Sequence, residues 1–295
     1  MAQSLVIGLV QGGTYGLIAL GLVLAYRGSR VLNFAQAEIG TASLFIAWIV
    51  SGAWHLPYWM GALAALATAL LIGLLFERLV VRPMAAAPRL TVAVATIGLF
   101  GFLVAMEAYL NGPTPRFLAP PIAGLGVKIA GVFVSPTQIL TFVVIAAVAV
   151  SLTIFLRRTD FGLGVLAAAE DPTAARLVGV PLGRVSMFTW GAAAVLSALA
   201  ALLIEPTITL IAPNGIGIRL FIGGLAAALL GGMTSLNGAF LGGLVVGVLS
   251  AEAEYLAPTG LPGAYSVVFF VIVMGVLLLR PQGLLGKTPA RAETV

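Results

Sequence analysis

The stretch SLVIGLVQGGTYGLIALGLVLAY, from Ser4 to Tyr26, runs 23 residues without a charge. A helix needs about 20 predominantly apolar residues to cross the hydrocarbon core of a bilayer. No basic segment precedes this one and it outruns the apolar core of a secretion signal, so it reads as a retained first membrane helix. Working outward, comparable spans fall at roughly 33–52, 58–77, 91–110, 136–156, 185–204, 218–233, 236–256 and 264–280, which gives nine crossings, plus or minus one. The Gly and Ala of the sixth to eighth would also suit a re-entrant segment buried in protein.

Composition supports that reading. The chain is 61% hydrophobic and 8% charged, against about 25% charged in a soluble domain. The Gly and Pro content suits packed transmembrane helices better than barrel strands. The expected fold class is therefore all-α, a polytopic transmembrane helical bundle of about eight to ten spans forming a single domain over residues 1–295. With no cysteine and one histidine, His55, disulfides, thiolate sites and a histidine metal cluster are excluded. The net charge of +5 fits basic residues held on one side of a membrane, and nucleic acid is not an expected partner.

Orientation follows from the basic residues, which are enriched in cytoplasmic loops. If Arg27 and Arg30, Arg78, Arg82 and Arg89, Arg157, Arg158, Arg176 and Arg184, and Arg280, Lys287 and Arg291 face the cytoplasm, that side holds 12 of the 15. The N-terminus then lies outside, the C-terminus inside, and the Pro/Gly-rich loop from Asn111 to Pro136 is external. The polar island FGLGVLAAAEDPTAARLVGVPLGR, Phe161 to Arg184, is internal.

That island contains a helix start at Asp171–Pro172, because Asp can cap free amides and Pro tolerates the first helical position. Gly179 and Pro181 end the helix after about two turns. Ala174, Ala175 and Val178 would form a small smooth face flanked by Glu170 and Arg176, fit either for a partner's surface or for the membrane surface. Both readings stand on the residues alone.

Polar groups inside the spans mark a second candidate. Gly8, Gly12 and Gly16 recur every fourth residue and read as a packing face, as do Gly238/Gly242 and Gly243/Gly247. Gln11, Thr14 and Tyr15 are hydrogen-bonding groups in a span and would face protein or a wet path. Asn33, Gln36 and Glu38 form the densest polar cluster at membrane depth. A lipid-facing carboxylate costs about 2.5–3.5 kcal/mol, so Glu38 is expected to face the bundle interior or the boundary. It reads equally as a path residue and as a structural hydrogen-bonding group. Glu107 is read as structural, and Glu205, Glu252 and Glu254 as solvated outer-boundary groups or part of a docking surface. Gly286-Lys287-Thr288 resembles the end of a phosphate loop, but Pro281 occupies the required upstream glycine position. No catalytic grouping is legible.

GGTYGLIALGLVLAYRGSRVLNFAQAE, ERLVVRP, AAAEDPTAARLVGV, ALLGGMTSLNGAFLGGLVVG and RPQGLLG occur in this order over nearly the whole chain. Together they resemble the LivH-type permease of branched-chain amino acid ABC importers. The resemblance implies an ABC importer permease fold in the bacterial inner membrane. It also implies a second, LivM-like permease, two ATPase subunits that carry ATP and Mg, and an external solute-binding protein. The cytoplasmic segment of about 157–184 would be a coupling segment, with Ala169, Glu170, Asp171, Ala174, Ala175, Arg176 and Gly179 at the ATPase contact. Branched-chain or other hydrophobic amino acids are the implied substrates, with Gln11, Thr14, Tyr15, Asn33, Gln36 and Glu38 along the path. Leu163, Leu166 and Gly223 stand where family members often carry basic residues. That departure leaves urea or short amides as an alternative substrate, and a stand-alone carrier or channel as an alternative class.

Overall fold

The computed structural model describes residues 2–112, 115–122, 124, 126–129, 132–208, 211, 215–257, 263–280 and 282–286. Its centre is α1 (Ala2–Ser29), buried without interruption from Val10 to Ala25. A helix that is apolar all round can be covered by protein or by lipid, and burial decides which. Here it is enclosed by α8 (Leu182–Ile208), α9 (Ile216–Gly231) and α10 (Leu236–Leu256). The α1–α10 pair is the most extensive of these contacts. Gly8, Gly12 and Gly16 meet Gly243 and Gly247 there, and a Cβ added to Gly12 would lie 2.8 Å from Leu244 Cα. The two backbones touch because neither helix carries a side chain between them.

The other elements form the flanks. α2 (Gln36–Trp48) ends in a wide π-helical turn, Ile49–Ala53, and packs on α8, α9 and α3 (Tyr58–Phe76). α3 likewise runs on into a wide turn, Glu77–Val81. α4 (Arg89–Asn111) rests on α2, and α5 (Pro136–Arg158) on α1. Pro57 and Pro88 precede α3 and α4, and a capping box between Ser135 and Gln138 starts α5. α6 (Asp160–Glu170) and α7 (Pro172–Leu177) make a polar elbow before α8, and α11 (Ala264–Leu279) closes the chain against α9 and α10.

Nine helical segments coincide with the nine expected spans. Six are long and apolar enough to cross a membrane, and α9 and α11 are shorter apolar helices of 16 residues each. Three local expectations change. The second span begins at Gln36 rather than 33, because the Asn33 carboxamide accepts from the Ala35 amide and holds the chain out of helical geometry. The island is two helices rather than one. Glu205 is fully buried and accepts from the Leu118 amide at 3.4 Å, instead of meeting solvent. The cause is that α8 runs past it to Ile208. Part of the loop after α4 forms a short hairpin, β1 (Val127–Ile129) with β2 (Val132–Val134), Val127 facing Val134. Lys287, Thr288 and Arg291 lie outside the described residues.

Candidate functional site

The α6–α7 elbow is built by local capping. Thr159 accepts from the Gly162 amide at 3.0 Å, and Asp171 accepts from the Thr173 and Ala174 amides at 2.8 and 3.1 Å. Gly179, at φ +88°, ends the turn in a conformation that favours glycine. Val165, Ala168 and Ala175 seat the elbow against Leu24 of α1, Leu156 of α5 and Val185 of α8.

That seating divides the expected docking residues. Ala169 and Ala175 face inward and are buried, whereas Glu170, Asp171, Ala174, Arg176 and Gly179 are exposed. The smooth face expected from Ala174, Ala175 and Val178 is therefore split. The outward tip belongs to Leu177 and Val178, 83% and 79% exposed.

Arg30 was visible in the sequence only as a charge. At φ +57°, a conformation few non-glycine residues adopt, it donates from Nη2 to the carbonyls of Ala169 and Glu170 at the end of α6. Arg27 stands 3.7 Å from the Glu170 carboxylate. The elbow is thus tied to the turn that joins α1 to α2.

Beyond that turn the buried polar cluster continues the connection. Asn33 donates to Gln36 Oε1 at 3.1 Å, Gln36 donates to the Ala193 carbonyl of α8 at 2.6 Å, and Ser197 donates to the Gln36 carbonyl. Glu38 of α2 and Glu107 of α4 are both buried, on helices that pack together. Glu38 also lies flush on Gly217 of α9, where a Cβ would meet its Oε2.

On α1, Thr14 donates to the Gln11 carbonyl at 2.7 Å, and both side chains are buried. Tyr15, also buried, meets Phe269 edge-on at 5.6 Å and accepts from Arg219 Nε at 3.2 Å. All six path candidates therefore lie within the chain's own packing, and among the described residues only Tyr15 bonds to a group that lines a cleft.

The open surface is on α9. Ile218 and Ile222, four residues apart, are 40% and 39% exposed and form a ridge between two clefts. One, of 440 Å³, has Arg219, Tyr265 and Ser266 in an apolar wall that includes Phe269 and Val273. The Arg219 guanidinium stands 4.2 Å over the Tyr265 ring and 3.2 Å from the Glu254 carboxylate. The other cleft, of 310 Å³, is formed by Phe34, Ile97, Phe100 and Phe221 beside the same ridge. A cation set in an apolar cleft suits a ligand with one anionic end and a hydrocarbon body. No sequence pattern announced it, because its walls come from segments far apart in the chain.

Comparison with known proteins agrees with this architecture. The chain is 34% identical to the high-affinity branched-chain amino acid transport system permease protein BraD of Pseudomonas aeruginosa, over 97% of this chain and 95% of that protein. It is 30% identical to the permease protein LivH of Escherichia coli with the same coverage. Its fold is similar to that of PsaBC from Streptococcus pneumoniae in complex with Fab, at a TM-score of 0.52 and 14% identity, covering 94% of this chain and 89% of that one. Residues 4–279 match the family model described as branched-chain amino acid transport system / permease component. The chain belongs to the LivH-type permease family, as a membrane-spanning subunit of an ABC-type transporter.

Proposed function

We propose that this chain is one permease half of an ATP-driven importer for branched-chain or other hydrophobic amino acids, oriented with its N-terminus outside and its C-terminus in the cytoplasm. It works with a second, LivM-like permease, two ATPase subunits that hold ATP and Mg, and an external solute-binding protein. The observation that carries the substrate class is the cleft beside α9, where Arg219 sits among apolar side chains. A guanidinium suits an α-carboxylate, and Phe269, Val273, Ile218 and Ile222 suit an aliphatic side chain. Urea has no hydrocarbon body to fill such a cleft. A zwitterion crossing the membrane also needs its ammonium balanced, and Glu38, lying against Gly217 of α9, supplies an acidic group one helix away.

Coupling follows the same chain of contacts. ATP-driven closure of the ATPase pair displaces α7, Arg30 carries that displacement to the α1–α2 turn, and Asn33 and Gln36 pass it to α2 and α8. Glu38 then bears on Gly217 and shifts the α9 face between outward and inward access. Arg30→Ala is expected to lower the substrate moved per ATP several-fold in reconstituted vesicles, and an unchanged ratio would remove Arg30 from the relay.

The direct test is uptake by the assembled transporter in proteoliposomes. Leucine entry that requires internal ATP and the binding protein supports the proposal. Leucine entry without ATP would identify a carrier, and entry of urea but not leucine would identify the amide alternative. Arg219→Leu should reduce leucine uptake about tenfold or more, the scale of a lost charge-assisted hydrogen bond. Glu254→Gln, which removes only the ion pair beside it, should retain uptake. Equal losses in the two variants would make Arg219 a structural anchor.

A further inference from the structure

A cavity of 520 Å³ opens at the end of the bundle where α1 and α5 finish and α10 begins. Its floor is hydrocarbon, from Leu20, Leu152 and Leu241, and its rim is polar, with Arg27, Arg157, Thr153, Ser235 and Asn237. Arg157 is exposed and makes no ion pair among the described residues. Arg27 is half-buried, and its nearest carboxylate, Glu170, is 3.7 Å away and largely exposed. That separation is too long for a direct hydrogen bond. The rim therefore holds two guanidiniums against one solvated carboxylate, directly above an apolar floor in a membrane-spanning chain.

We infer that this cavity is a binding site for an anionic phospholipid, its phosphate held by Arg27 and Arg157 and one acyl chain lying along Leu20, Leu152 and Leu241. Charge complementarity selects the head group, because basic pockets between helices at the membrane rim attract phosphate. The apolar floor selects a lipid over a free anion, which would leave that surface unfilled. The cavity also borders α6 through Leu166 and Glu170. A lipid seated there braces the α6–α7 elbow against α1 and α5, beside the Arg30 contacts.

The test is retention of lipid by the assembled transporter under native mass spectrometry, after equilibration with phosphatidylglycerol or phosphatidylcholine in otherwise matched micelles. Phosphatidylglycerol should be retained preferentially, and Arg27→Gln with Arg157→Gln should lower its retention on the order of tenfold or more. Leu241→Trp, which fills the floor from an exposed position without altering charge, should also displace it. Millimolar inorganic phosphate should not compete. Equal retention of the two lipids, retention unchanged in the paired arginine variant or in Leu241→Trp, or displacement by phosphate alone would overturn the assignment.

Discussion

Gly247→Leu will leave little or no folded protein in detergent extracts, whereas Gly101→Leu will yield as much as the parent chain. The contrast comes from what each added side chain meets. A Cβ on Gly247 runs into the Cα and N of Gly12, all backbone, while one on Gly101 meets nothing within 4 Å. Overpacking of an ordinary core costs about 1–3 kcal/mol because side chains can turn aside. No rotamer relieves a collision with backbone, so α10 must leave α1. That separation also opens the Gly8–Val248 and Gly16–Phe240 contacts along the same face. Since α1 is the helix around which α8, α9 and α10 pack, the loss spreads through the bundle. Size-exclusion profiles and thermal unfolding of both variants provide the measurement. A Gly247→Leu chain with the parent's yield and unfolding temperature would show that the glycine face is not what joins α1 to α10.

This glycine face was legible in the sequence because a repeat of four on a helix fixes one side whatever lies opposite. The fold class was legible for a similar reason: long uncharged runs leave a helix few alternatives in lipid. Which helix faces which was not. In a water-soluble helix the polar side marks the outside, but lipid removes that mark, and α1, α4 and α5 look alike in composition. Their burial differs sharply all the same, at 83%, 22% and 17% of the apolar window. Polar residues helped only in part. Asn33, Gln36 and Glu38 were identifiable as a cluster that must be satisfied, yet Ala193 and Ser197, which bond to Gln36, lie far along the chain. Arg30 could not be found by type, since its role depends on a left-handed backbone and two carbonyls some 140 residues away. The α9 clefts depend on the meeting of the α1–α2 turn, α4, α9 and α11, and short-range spacing carries no record of that meeting.

Leu177→Asp combined with Val178→Asp is expected to abolish co-purification of the ATPase subunits and substrate-stimulated ATP hydrolysis, while the chain still inserts and unfolds normally. Both residues sit at the outward tip of the elbow and contribute nothing to its seating, which rests on Val165, Ala168 and Ala175. Substitutions at such exposed positions usually change stability by about 0.5 kcal/mol or less. In a complex, burying each apolar side chain is worth about 1.5–3 kcal/mol. Losing both, with two carboxylates left to desolvate, weakens association roughly hundredfold or more. Ala175→Trp is a poorer probe of the same contact. Its indole would have to enter the space among Leu24, Leu156 and Val185, so it tests the seating of the elbow rather than its surface. Ala174→Ser, a small change on the exposed side, serves as the control and should retain coupling. If the double aspartate variant binds the ATPase and couples as the parent does, the partner grips another part of the chain and the elbow has no part in transmission. If binding is lost and Ala174→Ser is silent, the apolar tip itself is the point of attachment, and Arg30 behind it is the first residue to receive the stroke.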